Sequence, residues 1–215
     1  MKIPAVIHAT RLGYTYRPIK NAVKGVDYDG DTNVFYAELS EGLSRVNGRA
    51  VSEGEACHVA ASIRDLLSVP DLGRSFFKAL QTSANGLRLI DFDNPRNNVF
   101  TVVTELPCAH GDDSFRPDIT FLVNGMPLCF YEAKRRNNKD GIIAERERMN
   151  RRFSNPIYRR FVNITQVMAF SNNMEYDNES RQPLFGSFYA SSAYGPVCLN
   201  HFREEDLAFL TSAPA

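Results

Sequence analysis

Asn124-Gly125 stands between two apolar, β-branched runs, Ile119–Val123 and Leu128–Tyr131, and this arrangement constrains the fold more than any other feature of the chain. Asn-Gly takes up the two left-handed residues of a tight hairpin turn, so the runs should be antiparallel neighbours in a sheet. The hairpin is bracketed by chemistry. Arg116-Pro117-Asp118 precedes its first strand, and Glu132-Ala133-Lys134 ends its second. Glu132 and Lys134 are two apart on a strand and therefore share a face. Whether Asp118 joins them depends on the register. A strict two-residue turn sets Asp118 opposite Tyr131 and turns the two carboxylates apart. A three-residue turn, or one bulge, sets Asp118 opposite Glu132, with Cβ atoms about 4.5–5.5 Å apart. A functional site here requires that irregularity.

Two converging carboxylates repel, and one of them gains protons unless a cation lies between them. Hard oxygen donors suit Mg²⁺ or Mn²⁺, which bind through one or two carboxylates and keep several waters. Such an ion polarises a phosphoryl oxygen and acidifies water, and a lysine beside it can stabilise charge developing on phosphate. Carboxylate, carboxylate and lysine are thus the residue types that phosphodiester hydrolysis needs. The same spacing also describes an ordinary surface Glu–Lys pair. Against that reading, the strand leading to Glu132 (Leu128-Cys129-Phe130-Tyr131) is apolar, and a basic segment begins immediately after it.

That segment is the main asymmetry in an otherwise balanced chain of 25 basic and 25 acidic residues. Lys134 to Arg160 holds ten basic residues against three acids, an excess of seven, offset by the remainder of the chain. A window of this kind is a possible phosphate-binding face or simply a solvated helix surface. With 43% apolar and 23% charged residues, the 215-residue chain suits one soluble domain, or one with an appended lobe. It has neither a membrane-spanning apolar run nor a secretory signal, and a cytoplasmic location is expected. The cysteines (Cys57, Cys108, Cys129, Cys198) are scattered, which points to reduced thiols; Cys108-x-His110 lacks the second ligand pair that zinc needs. The four histidines form no motif.

The first 52 residues show weak order, with Asn33–Leu39 reading as a short strand. Glu53–Leu67 reads as a helix with Val59, Ile63, Leu66 and Leu67 on one face, and a second helix is expected from Asp71, with Leu72, Phe76, Phe77 and Leu80. After Asn94-Pro95 the period changes, and Val99–Leu106 reads as strand. Beyond the hairpin, a helix capped by Asp140 runs to Phe153, with Ile142, Met149 and Phe153 on its apolar side. Val162–Phe170 reads as a final strand, parallel to an earlier one because a helix connects them. Glu105, Glu53 or Glu55 could add an acid to the site, although each also suits an ordinary strand-end or first-turn position. No G-x-x-x-x-G-K-[ST] phosphate loop occurs.

Arg116-Pro117-Asp118, the hydrophobic run, Asn124-Gly125-Met126-Pro127-Leu128 and Tyr131-Glu132-Ala133-Lys134 together resemble the nuclease core of type I restriction endonuclease R subunits. The resemblance extends through Ile90-Asp91-Phe92, Asn94-Pro95 and Asn98, and spans roughly residues 89–186. It implies an α/β fold of the PD-(D/E)XK kind, a central mixed β-sheet flanked by helices. It also implies an N-terminal lobe over residues 1–85, a nuclease core over 86–200, and over 201–215 the start of a linker toward a motor. By the same resemblance Asp118 and Glu132 are the metal-binding acids, the Ala133 carbonyl completes the metal shell, and Lys134 is the catalytic lysine. The implied cofactor is Mg²⁺ or Mn²⁺, with ATP used only by a motor domain absent from this chain, which would then be an excised fragment or a natural truncation. The implied partners are double-stranded DNA and the specificity and methylation subunits of a restriction complex; no membrane partner is expected. The family's Q-x-x-x-Y helix motif is replaced by Met149 and Phe153, whose place on the apolar stripe suits core packing. Arg148 and Arg152 are candidates for DNA contact. The implied activity is a Mg²⁺-dependent endodeoxyribonuclease, and the alternative is an inactive DNA-binding or docking module on the same fold.

Overall fold

The computed structural model describes residues 2–110, 113–135, 141–172, 187–190 and 200–201. In chain order the elements are α1 (Lys2–Arg11), β1 (Thr15–Tyr16), α2 (Tyr36–Asn47), α3 (Glu53–Leu67), α4 (Arg74–Gln81), β2 (Phe100–Thr104), β3 (Cys108–His110), β4 (Asp113–Phe115), β5 (Ile119–Val123), β6 (Met126–Ala133), α5 (Gly141–Ser154), α6 (Arg159–Ile164), β7 (Val167–Ser171), β8 (Ser187–Ala190) and β9 (Asn200–His201). Among the described residues, seven strands form one sheet in the order β1-β2-β5-β6-β7-β8-β9. β1 lies parallel to β2 and β6 parallel to β7, while the remaining pairs are antiparallel. This is the mixed sheet flanked by helices that the sequence implies. The parallel β6–β7 pair is joined through α5 and α6, as a parallel connection demands.

The Asn-Gly turn has two residues, both left-handed (φ 48° and 76°), and pairs Val123 with Met126. It is buried. The Asn124 side chain accepts from the Val99 amide (2.7 Å) and donates to the Leu89 carbonyl (2.8 Å) and Asn98 Oδ1 (2.9 Å). α2 lies directly on this turn: a Cβ at Gly125 would stand 2.4 Å from the Phe35 carbonyl oxygen, and one at Gly42 would meet the Asn124 side chain. The turn thereby joins the sheet to the helical layer. The largest apolar cluster runs through both, from Leu39, Leu43, Ile63, Leu67 and Phe76 to Leu89, Met126, Leu128 and Ile164. α1 packs elsewhere, setting Ala9 against Val102 and Ile119.

Several local expectations are corrected. Asn33–Leu39 is not a strand. Its second half begins α2, because Leu39, Leu43 and Val46 recur at helical spacing and are all buried. Residues 2–52 therefore hold regular structure: α1, β1 and α2. α3 has the expected bounds and is started by a capping box between Ser52 and Glu55. α4 begins at Arg74 rather than Asp71, because Asp71 caps it from outside by accepting from the Gly73 and Ser75 amides. Val162–Phe170 divides into the end of α6 and most of β7. Asn163 donates to the Leu67 and Val69 carbonyls (2.8 Å each), and this packing against the end of α3 overrides the β-branched propensity. The expected Asp140 cap lies outside the described residues.

Asn124→Ala removes three side-chain hydrogen bonds from a fully buried turn and leaves their partners unsatisfied. We expect a loss of about 3 kcal/mol in urea unfolding. A loss below about 1 kcal/mol would show that the turn does not anchor the sheet.

Candidate functional site

The register of the β5–β6 hairpin shifts once. Val123 pairs with Met126 and Leu122 with Pro127, but Phe121 pairs with Cys129, leaving Leu128 as an extra residue. Pro127 immediately precedes the extra residue. It has no N–H to give to a ladder, and proline within an internal strand is accommodated at bulges. The bulged residue still works on the other side, where the Leu128 carbonyl accepts from the Gln166 amide (2.7 Å). From the bulge onward the pairing is Thr120 with Phe130 and Ile119 with Tyr131, and one further step sets Asp118 alongside Glu132. Here the tight turn and the bulge occur together, and the register is the one in which the two carboxylates can share a face.

Asp118 Oδ2 accepts from the Ala133 amide (2.9 Å), which aims its carboxylate at the end of β6. Glu132 is buried on the same strand as Phe130. The Lys134 ammonium lies 3.5 Å from Glu132 Oε2 and 2.8 Å from Oε2 of Glu145, a buried residue of α5. Asp118, Glu132 and Lys134 are therefore brought together. Among the described residues, no three His, Cys, Asp or Glu side chains converge as a ready-made metal cage. A cation here would be held by two carboxylates with backbone and water, the mode Mg²⁺ commonly adopts.

Arg148 and Arg152 are placed differently from each other. Both pair with Glu145, at 2.9 and 3.5 Å, but Arg148 is half exposed whereas Arg152 is turned inward with its guanidinium over the Phe115 ring, 3.7 Å from the centroid. Met149 is fully buried with Phe130, Ile142, Met168 and Phe170, and Phe153 packs against this cluster. Glu55 is used by the α3 cap. Glu105 does approach the centre: its amide donates to the Asp118 carbonyl, and Lys2 bridges its carboxylate to Asp118 Oδ1, the latter at 2.8 Å. Lys2 and Glu145 are the two members that sequence reasoning did not place in the site. Lys2 carries no pattern that could have revealed it. Glu145 does, since it stands three residues after Ile142 and four before Met149, within the buried stripe of α5. The buried Cys108 thiol is pushed up to about 12 by burial, in keeping with an inert reduced cysteine.

Burial raises the Glu132 carboxyl from 4.5 to about 7, reinforced by the charge of Glu145, opposed by Lys134 and reinforced again by Asp118. The linkage has a definite sign. Between pH 4.5 and 7 the unfolded chain has released this proton and the folded chain retains it, so stability falls as pH rises. Relative to Glu132→Gln, the wild type should lose up to about 3 kcal/mol across this window in denaturant titrations. Parallel pH profiles for the two proteins would mean that Glu132 is not held protonated by its surroundings.

The sequence family described as type I restriction enzyme R protein N terminus matches residues 2–180. Among individual relatives, a Methanocaldococcus jannaschii protein, provisionally assigned as a type I restriction enzyme MjaVIIIP endonuclease subunit, is 26% identical over 128 residues. That alignment covers 58% of this chain and 12% of the relative, so the chain corresponds to a small part of a much longer protein. No helix among the described residues is long and apolar enough to cross a membrane. With the family matching most of its length, the chain belongs to the N-terminal region of type I restriction enzyme R proteins.

Proposed function

We propose that this chain is the DNA-cutting module of a type I restriction enzyme, a Mg²⁺- or Mn²⁺-dependent endodeoxyribonuclease of the PD-(D/E)XK kind. The observation that carries the reading is the bulge at Leu128, which sets Asp118 alongside Glu132 with the Lys134 ammonium 3.5 Å from the Glu132 carboxylate. The residues fit a divalent ion. Two acids face one another where burial leaves Glu132 with a proton near neutrality, and a hard cation relieves both the repulsion and the desolvation. When bound, the ion supplies polarisation of a phosphoryl oxygen and acidification of water.

The chain's own residues do the rest. Asp118 and Glu132 hold the ion, and the Ala133 amide fixes the Asp118 carboxylate. Lys134 offers a positive charge to the phosphate as negative charge develops on it. Arg116, Arg135, Arg148 and Arg151 are exposed and lie near Asp118 and Lys134 in sequence or on α5, where they would contact the phosphate backbone and align the scissile bond. Sequence choice and ATP-driven translocation would come from the specificity and methylation subunits and from a motor region.

One observation favours a second reading. Lys2 pairs with Asp118 and Glu105 while Lys134 pairs with Glu132 and Glu145, so each acid already has a cationic neighbour, as in a docking module without catalysis. Nicking of supercoiled plasmid in Mg²⁺ or Mn²⁺ separates the two. The nuclease reading expects Asp118→Ala and Lys134→Ala each to lower the rate by roughly a hundredfold or more while DNA binding persists. Undiminished nicking in both variants would refute it, and DNA binding without metal-dependent nicking would favour the docking module.

A further inference from the structure

Glu145 is a charged residue with 3% side-chain exposure on a helix whose other buried side chains are apolar. A carboxylate is held in such a place only when it is paired and hydrogen-bonded. Its pairing is one-sided. Oε2 accepts from Lys134 Nζ at 2.8 Å and from Arg148 Nη1 at 2.9 Å, and Oε1 lies 3.5 Å from Arg152 Nη1. Arg152 is itself fixed from both sides, with its guanidinium over the Phe115 ring and a hydrogen bond to Met149 Sδ (3.8 Å). Phe115 stands three residues before Asp118. A continuous chain of contacts thus runs from the segment entering β5, through ring, guanidinium and carboxylate, to the ammonium at the end of β6.

We propose that Glu145 is the positioning residue for Lys134: it fixes the lysine ammonium beside the Asp118–Glu132 pair and is not itself a metal ligand. The geometry supports each half of this statement. Lys134 follows the last residue of β6, and its backbone is tied by its amide to the Ser171 carbonyl (2.7 Å). Its side chain is a flexible four-carbon stem, so a backbone anchor alone does not place the ammonium. The shorter of its two ion pairs is to Glu145, not to Glu132. The positioning group is carried on a helix and gripped by two arginines, the support from a rigid element that an exact site requires. Both Glu145 oxygens are occupied by cationic side chains, which leaves Asp118 and Glu132 as the carboxylates for an ion. Arg152 belongs to this scaffold, and of the two arginines singled out in the sequence only Arg148 remains exposed for phosphate.

The consequence for catalysis rests on the nuclease reading; the placement of Lys134 does not, and the test keeps them apart. Lysine ammonium groups of ¹⁵N-labelled protein are observed in ¹H–¹⁵N spectra, with the Lys134 signal assigned by its loss in Lys134→Arg. We expect a resolved, slowly exchanging Lys134 signal in the wild type. In Glu145→Gln its solvent exchange should rise about tenfold, as loss of a charge-assisted hydrogen bond implies. Glu145→Asp, one methylene shorter, should be intermediate, and it substitutes for Glu145→Gln should that variant fail to fold. Mn²⁺ titrated calorimetrically into the same proteins should bind Glu145→Gln as it binds the wild type. A Lys134 signal missing from the wild type, or unchanged in Glu145→Gln, overturns the proposal. Mn²⁺ binding abolished by Glu145→Gln overturns it too, because Glu145 would then be a ligand. Wild type that binds no Mn²⁺ while Lys134 responds to Glu145→Gln sinks the nuclease reading and leaves the positioning role intact.

Discussion

Between the Asn124-Gly125 turn and the carboxylates, β6 carries one residue more than β5 does: Leu128, directly after Pro127. Much else follows from that one extra residue. Side chains alternate strictly along a strand, so a one-residue shift exchanges which residues of the partner strand share its face. Upstream of the bulge the tight Asn-Gly turn keeps its two-residue form and lies buried under α2. Downstream the pairing is displaced by one, and Asp118 comes alongside Glu132 instead of Tyr131. A turn fixed by burial and a site fixed by register make opposite demands on one hairpin, and the bulge between them satisfies both.

The electrostatics follow from where this register leaves the acids. Glu132 is buried beside Glu145 and Asp118, an arrangement that opposes folding near neutral pH and favours whatever cation can enter. The protein holds its own cations close by, Lys134 between Glu132 and Glu145 and Lys2 between Asp118 and Glu105. Lys134 is tied into the scaffold through Glu145 and α5. Lys2 comes from the first turn of α1 and is far less enclosed, which makes it the neighbour that a divalent ion would most readily displace.

What could be read from the sequence was set by how local the signal is. The hairpin, α3 and α5 are legible because turn chemistry and periodicity act within a few residues. The Asp118, Glu132 and Lys134 grouping was legible only as a condition on the register. The bulge at Leu128 meets that condition, and its one local companion in the sequence is the neighbouring Pro127. Asn33–Leu39 and Val162–Phe170 carry strand-like β-branched and aromatic residues over short windows, whereas packing of Leu39 with Leu43, and of Asn163 against the end of α3, decides those segments. Glu145 shares the spacing of Ile142 and Met149 and so falls among the buried positions of α5, but an acid in a basic segment carries no local sign of its partners. Lys2 lies more than a hundred residues from Asp118, and nothing local announces it.

The most direct test of the central claim, that the bulged register makes Asp118 and Glu132 a shared cation site, is calorimetric titration of Mn²⁺ into the wild type, Asp118→Ala and Glu132→Ala. The account predicts about one ion per chain in the wild type, with binding lost in both variants, as expected for a site that one or two carboxylates hold. Equal Mn²⁺ affinity in all three proteins would contradict it, since the two acids would then not converge on a metal.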